Sequence, residues 1–510
     1  MTLASFWNDL HYEDIHFRDN LQFELESDFA PLPQEKENIS TQEFYFFIPS
    51  ALQINRQTYS KEQFYKDRTN LIRYKTPEFS FVQLIDKSNT QSPLYRLQLY
   101  KNESLTPQVA LKIQDELKLL GNIVRSALRE GVKALLQHIG HRGKMHTGDL
   151  LQSAVTTFCT EVSQFRSAFW KTQEECLSHW SGSAMQSFLY VDEFISNSID
   201  YYFTGFLDYL RHSKIENIHG IDRLVCEVIA TEKVHRQKYF QEPEELLHSN
   251  VDTQEKALYH RSLLNKFVTN ALLLVIERTS WVERYGNLVA GVAAGIAMLI
   301  YVLLIFWNLP NLGFNSLSFL LFTVVLYVLK DRIKDSLKAI FHQHAVKWFS
   351  DYTTQIQSPD GEKDLGKLKE FFSFVSPNDL PADVDHIRQN EFDSDLRLFK
   401  QPESVFYYRK EMHLDPIPRA TIPRRHKLHN IFLFNIHLLL EKASNPIGRA
   451  LSLDLNTMEI VDLSLPKVYH LNIIVKNSFL LPDLQKKVEI KKFRLVLDKN
   501  GIKRIERVGR

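Results

Sequence analysis

The chain has 510 residues, 44% of them hydrophobic and 24% charged, with a formal net charge of +1. This length exceeds what one hydrophobic core usually organises, so two or three domains are expected. Three cysteines (Cys159, Cys176 and Cys226) show neither a paired framework nor metal-ligand spacing, which excludes a disulfide scaffold and fits a reducing compartment. The near-neutral balance hides an asymmetry: the part from Lys330 onward is net basic, the part before it net acidic, and the basic excess concentrates after Lys486.

In chain order, residues 1–41 read as an irregular acidic segment. Glu43-Phe-Tyr-Phe-Phe-Ile-Pro49 follows as a buried strand stopped by proline. Ser60 with Gln63 three residues on marks a helix start at Lys61. Residues 79–85 and 94–99 read as two further strands, and 42–100 as a small α+β unit. From 106 the apolar period becomes helical. Leu151, Val155, Phe158, Val162, Phe165 and Phe169 alternate steps of four and three, which holds an apolar seam on one helix face. Arg125, Arg129, Glu161 and Arg166 then fall on opposite, water-facing sides. Residues 106–284 are therefore expected to form a helical bundle or coiled-coil stalk, its fifth helix (254–284) running straight into the next segment.

No charged side chain occurs over residues 285–329. The stretch divides into apolar runs at 286–309 and 314–329 around the turn-forming break Pro310-Asn-Leu-Gly313. A bilayer span needs about 20 helical residues. The first run is long enough; the second sits at the short limit and would borrow its last turn by snorkelling. These runs predict a transmembrane helical hairpin over 286–329. Arg278 and Arg284 precede it, and Lys330, Arg332, Lys334 and Lys338 follow it. The positive-inside rule then places both termini in the cytoplasm of a cell (inner) membrane. The start of the chain lacks a basic region followed by an apolar core, so no cleaved signal peptide is expected. Gly291, Ala294 and Gly295 form a small-residue seam that permits close helix packing, within the hairpin or in a homo-oligomer. No ionisable group lies within either run, which argues against an ion pathway.

Residues 330–352 read as a juxtamembrane amphipathic helix, with Lys330, Arg332, Lys334 and Lys338 facing anionic headgroups. Beyond it the period shifts to two. Leu451, Leu453 and Leu455 alternate with polar residues, Leu471, Ile473 and Val475 do the same, and Asp498-Lys-Asn-Gly501 signals a hairpin. Residues 400–510 are expected to be an antiparallel β-rich domain.

Motifs with chemical content are scarce. His138-Ile-Gly-His141 matches a nucleotide-binding tetrapeptide of class I aminoacyl-tRNA synthetases, but it ends a helix instead of following a strand, and no Lys-Met-Ser-Lys-Ser partner exists. His138, His141 and His146 lack a carboxylate that would complete a metal site. The acidic run from Asp383 to Asp395 lacks the glycine and terminal glutamate of a calcium loop. Phosphate-binding, dinucleotide and nucleophile-elbow motifs are absent. No catalytic residue, metal or cofactor is assigned. Arg424, Arg425, Lys427, Lys491 and Lys492 are anion-binding candidates, with lipid headgroups favoured over nucleic acid as the ligand.

Several stretches resemble an uncharacterised bacterial family of two-span membrane proteins: Phe44-Tyr-Phe-Phe-Ile-Pro-Ser50, Tyr59-Ser-Lys-Glu-Gln-Phe-Tyr65, Ile72-Arg-Tyr-Lys-Thr-Pro77, Gly291-Val-Ala-Ala-Gly-Ile-Ala-Met298 and Leu329-Lys-Asp-Arg-Ile-Lys-Asp335. The resemblance covers most of the chain and implies no activity. Together these readings predict an α+β multidomain membrane protein with a helical N-terminal bundle or stalk, a transmembrane hairpin and a C-terminal antiparallel β-rich domain. The expected function is a membrane-anchored cytoplasmic scaffold or signalling protein with an unknown protein partner. The alternative is a membrane-bound enzyme with an unrecognised site in the cytoplasmic domains.

Overall fold

The computed structural model describes residues 15–31, 38–140, 147–177, 180, 182–212, 219–240, 250–308, 317–348, 350–389, 402–416, 424–425, 427–480 and 486–508. Its first elements already depart from expectation. Within the stretch read as irregular, β1 (Ile15–Asp19) and β2 (Gln22–Phe29) pair as a hairpin. Phe23 and Leu25 are buried on one face of β2, between glutamates that point away. β3 (Asn38–Pro49) confirms the aromatic strand. α1 (Lys61–Asp67) starts where predicted, with the Ser60 side chain accepting the Gln63 backbone N–H at 3.2 Å, and β4 (Arg68–Tyr74) follows.

The two strands expected next are helices, α2 (Phe81–Ile85) and α3 (Pro93–Leu99). Short apolar runs do not distinguish strand from helix by period; here the ends decide. Ser80 and Gln83 form a reciprocal capping box, and Pro93 occupies the first helical position, where its missing N–H costs nothing.

A helical bundle comes next: α4 (Pro107–Gly140), α5 (Thr147–Leu177), α6 (Ser183–His212), α7 (His219–Phe240) and α8 (Val251–Thr269). α4 packs on α5, α6 and α8, and α6 on α7 and α8. The 4-3 seam of α5 is thus buried in a multi-helix core rather than in a two-helix coiled coil. α8 stops at Thr269, and β5 (Val275–Ser280) separates it from the apolar stretch. The expected continuous fifth helix is therefore interrupted by a strand.

α9 (Trp281–Asn308) and α10 (Leu317–Trp348) pack against each other. The chain then forms β6 (Tyr352–Gln357), β7 (Asp364–Val375), α11 (Ala382–Gln389), β8 (Glu403–Leu414), β9 (Leu428–Asn435), α12 (His437–Leu440), β10 (Ile447–Asp454), β11 (Glu459–Pro466), β12 (Tyr469–Leu480), β13 (Lys486–Asp498) and β14 (Gly501–Arg507).

Both ends of the sequence build the same β layers. An eight-stranded antiparallel sheet runs in the order β14-β13-β12-β3-β8-β7-β6-β5, and a four-stranded sheet in the order β1-β2-β9-β4. β3, from the predicted 42–100 unit, is hydrogen-bonded between β12 and β8, from the predicted 400–510 domain. These two stretches are interleaved in one β region. The sheets face each other through an aromatic core, with ring centroids of Phe44 and Phe432 4.6 Å apart and those of Phe46 and Phe434 5.4 Å apart. The bundle core is continuous with this region through Ile72, Tyr74, Leu368 and Leu428.

The fold class is α+β, but the two-span hairpin is corrected. Among the described residues one helical segment, Tyr285–Trp307 (23 residues, mean hydropathy 2.7), is long and apolar enough to cross a membrane. In α10 the apolar run from Leu317 ends at Lys330, about 20 Å of helix against a hydrocarbon thickness of about 30 Å. Residues 309–316, which the two-span reading needed, lie outside the described residues. Without the hairpin, the multi-pass topology and the placement of both termini that depended on it are left unsupported, and what stands is one helix able to cross a membrane. The expected separate helix at 330–352 is also corrected: its basic residues sit on α10, unbroken from the apolar part.

Candidate functional site

The inner face of the large sheet carries an apolar region and a polar one. Strand pairing aligns Glu370 (β7), Lys410 (β8), Gln42 (β3), Asn477 (β12) and Glu489 (β13) in one row. The next row, Phe372, Tyr408, Phe44 and Val475, belongs to the aromatic core. Opposite the polar row stand Arg68 and Asn70 of β4 and Asn430 of β9.

Polar groups buried between sheets need partners, and Glu370 collects most of them. Asn70 Nδ2 donates at 2.7 Å to Glu370 Oε1 and at 2.7 Å to the Tyr408 hydroxyl. Tyr408 donates its hydroxyl proton to Glu370, and the Arg68 guanidinium pairs with the same carboxylate. Arg278 of β5 approaches it at 3.8 Å and stacks on Tyr352 at 3.6 Å. Asn430 Nδ2 bridges the sheets by donating to Ser27 Oγ at 3.1 Å and Gln42 Oε1 at 3.3 Å.

The side-chain oxygens of Asn70 and Asn430 are left without a hydrogen-bond partner, and so is Lys410. It is 3% exposed, and its ammonium nitrogen has no hydrogen-bond partner. The nitrogen lies 5.4 Å from the Phe44 ring centroid and 5.7 Å from that of Phe432. Burial pushes the amine down to about 7; Glu370 pulls it back up in part, and Arg68 adds to the fall. Lys410 lines a cavity of about 260 Å³ with Ser27, Ser40, Gln42, Asn430 and Asn477, bounded by Glu26, Asp28, Glu489 and Lys491.

Those bounding charges are engaged. His429 Nδ1 lies 2.7 Å from Asp28 and its Nε2 3.2 Å from Glu26. Burial alone would raise the Asp28 carboxyl, but hydrogen bonds from His429 and Lys75 outweigh it and bring the group down to about 2. Burial would lower His429, but its bonds to Asp28 and Glu26 leave it raised. Lys491 pairs with Glu489 at 3.1 Å. A second, open cavity of about 730 Å³ lies between α4 and the β4–α2 segment, with Lys75, Arg125, Arg129 and Glu130 on its walls. Much of its charge is engaged as well, Arg125 by Asn265 at 2.8 Å and Arg129 by Glu130 at 3.2 Å.

Among the described residues, His16, Glu24 and Glu26 are close enough to hold a cation, their donor atoms lying within 4.8 Å of one another. His16 already pairs with Glu24 at 3.2 Å. The thiols of Cys159 and Cys176 are pushed up to about 11 by burial, which leaves them poor nucleophiles at neutral pH. In the bundle, Arg166 is buried and not water-facing. It grips Glu232 of α7 through Nε (2.7 Å) and Nη2 (2.9 Å), and Asp192 of α6 through Nη1 (2.8 Å). Asp192 also meets His235 at 2.9 Å. This network is satisfied by its own members and adjoins no cavity described above, so it serves packing.

The residues singled out from sequence are not gathered into one site. Arg424 forks onto Glu116 of α4, with Nη1 at 2.6 Å, and Arg425 onto Asp115, with both contacts at 2.8 Å. They clamp the chain to the bundle, and an anion would have to displace those carboxylates. Lys492 faces the other side of the sheet and donates to the Ile387 carbonyl at 3.2 Å. Lys427 is exposed, its carbonyl accepting the Lys75 backbone N–H at 2.8 Å. Lys491 alone of the five borders the cavity. On α9, Ala293 and Ala297 are buried, whereas a Cβ at Gly291 or Gly295 would meet nothing within 4 Å. The two glycines thus look outward, with half-buried Ala294 beside them. Lys330 lies over the Tyr327 ring at 4.0 Å, at the end of the apolar part of α10, with Arg332, Lys334 and Lys338 in the turns that follow. His141 and His146 lie outside the described residues. Lys410 escaped the sequence reading because nothing local marks it; the cue is its place in β8 between Tyr408 and Met412, where alternation points all three inward.

Compared with known proteins, the chain matches no family model, no curated protein and no solved structure. The likeness noted from sequence therefore assigns no role to any residue here.

Proposed function

We propose that this protein is membrane-associated and non-enzymatic: α9 enters the bilayer and holds the α+β body against its surface as a binding protein. The observation that carries this reading is the outward exposure of α9. Only 11% of its apolar window is buried, and Leu288, Leu299, Leu303, Phe306 and Trp307 are each at least 60% exposed. A core helix of a water-soluble protein would bury such a face, and a contiguous apolar surface of this kind is rarely left to water. α9 follows β5 directly, and β5 pairs with β6 just after α10, so the helix pair is rooted at the edge strand of the large sheet.

The test is cell fractionation with an alkaline carbonate wash. The full chain is expected to stay in the membrane pellet. Leu299→Asp with Leu303→Asp, at about 3 kcal/mol of insertion cost each, should release it. A wild-type chain that remains soluble and monodisperse without detergent would sink the reading.

A further inference from the structure

We propose that the β10–β11 hairpin is an arm that pairs with the same arm of a second copy of this chain, edge to edge along β11. The hairpin stands outside both large sheets, its two strands paired only with each other. The alternation at Leu451, Leu453 and Leu455 would ordinarily bury one face of a strand. Here β11 is exposed along its whole length, and Leu451 and Leu455 are 77% exposed and Ile460 74%. An isolated two-stranded hairpin is barely stable in water. The hydrocarbon of a bilayer does not suit it either, because the outer edges of its strands would leave backbone N–H and C=O groups unsatisfied there. Those edges are what a third strand would fill. The ladder between β10 and β11 is regular, and neither a bulge nor a basic side chain blunts the outer edge of β11.

The sequence of β11 makes that third strand another β11. The Lys467 N–H donates to the Pro446 carbonyl at 2.8 Å. By alternation, Ile460, Asp462 and Ser464 then turn their N–H and C=O groups to the open edge, where Pro466 adds a carbonyl only. Two copies related by a two-fold axis at Leu463 join these groups antiparallel: Asp462 with Ser464 of the second copy, and the Ile460 N–H with its Pro466 carbonyl. On one face of the joined strands Leu463 meets its own counterpart, Val461 meets Leu465, and exposed Glu459 meets exposed Lys467. Opposite charges in cross-strand pairs stabilise, and like charges destabilise. Moving the axis to Asp462 sets that carboxylate against its own copy; moving it to Ser464 sets Lys467 against Val461. Along β10 the corresponding registers place Arg449 opposite Leu451, Leu453 or Leu455, so β10 offers no such match. The result is a four-stranded sheet with Val461, Leu463 and Leu465 of both copies gathered on one face, a symmetric and closed interface.

The experiment uses the full chain in detergent micelles. Leu463→Cys places two thiols on the axis, in a pair with Cα atoms about 4.5 Å apart, within disulfide range. Mild oxidation is expected to give a covalent dimer. Val461→Cys alone should not cross-link, because it faces Leu465 and not its own counterpart; Val461→Cys combined with Leu465→Cys should. The parent chain, with Cys159, Cys176 and Cys226, supplies the blank. In sedimentation equilibrium the parent is expected to dimerise. Glu459→Lys or Lys467→Glu should weaken the dimer several-fold, and the two together should restore it. All of these positions are exposed, so an unchanged thermal midpoint shows that the body is intact. A monomeric parent, a Leu463→Cys variant no more readily cross-linked than Val461→Cys, or a dimer indifferent to charge reversal, as association through α9 alone would give, overturns the proposal.

Discussion

Lys410 and Arg166 are both buried cations, and their partners give them opposite effects on stability. Lys410 titrates near 7 in the fold and near 10.4 when unfolded. Between those values the unfolded chain holds the extra proton, so this residue makes stability rise with pH from 7 to 10. Its burial costs most at pH 7 and below. Lys410→Met should therefore stabilise the protein by roughly 2–4 kcal/mol at pH 7, with the gain fading toward pH 10. Denaturant melts at both pH values test this, and a gain independent of pH would mean that packing alone is responsible. Arg166 is fully paired with Asp192 and Glu232. Arg166→Met strands two buried carboxylates and should cost about 3–5 kcal/mol, much of it recovered by adding Asp192→Asn and Glu232→Gln. The sequence reading put Arg166 in water because it lies off the α5 seam. That inference holds for a two-helix stalk; in the bundle, α7 covers the second side of α5.

At the level of elements, what was legible is what is encoded locally. The Ser60 cap, the α4–α7 periodicity and the β13–β14 hairpin each depend on residues a few positions apart. The hairpin glycine shows how sharp such a signal can be. Gly501 has φ +126°, and a Cβ there would lie 2.0 Å from the Asn20 carbonyl oxygen, which accepts the Ile502 N–H at 2.7 Å. Gly501→Ala should cost about 2–3 kcal/mol through positive φ and this clash, read as a lowered thermal midpoint. What was missed depends on distant partners. β1 and β2 looked irregular because their mate β9 lies some four hundred positions away, and the acids that occupy Arg424 and Arg425 sit on α4. The β2–β9 pair also carries a pH signature. Asp28, down to about 2, contributes stability above the usual carboxylate range that is lost as pH falls toward 2. His429, raised, contributes below its usual value near 6.5, and that part is lost as pH rises through its folded value. Amide exchange in β2 and β9 should therefore be slowest between about pH 4 and 6.5, once corrected for the intrinsic rate; protection that rises steadily to pH 9 would exclude His429 as a contributor.

For the whole molecule, the interleaving of the two chain ends governs how it can come apart. β3 is a central strand: one edge bonds β12 and the other β8, while Phe44 and Phe46 fill the space beneath β9. Without β3, two long strands would gain open edges and the aromatic core would lose its middle layer. A chain lacking residues 1–50 should therefore fail to form the β region, although every residue after 400 is present. The bundle should fare differently, since most of its core comes from α4 to α8, contiguous in sequence. Limited proteolysis of the truncated chain in micelles is expected to cut throughout residues 402–508 and to spare 107–177. Supplying residues 1–50 as a separate peptide should restore resistance, as strand addition to two waiting edges would. A 402–508 region that stays resistant on its own would instead make it an autonomous domain. The polar row through Glu370, Lys410, Gln42, Asn477 and Glu489 shares that dependence. The row draws on strands from both halves of the chain, so the cavity forms only when the two halves have met.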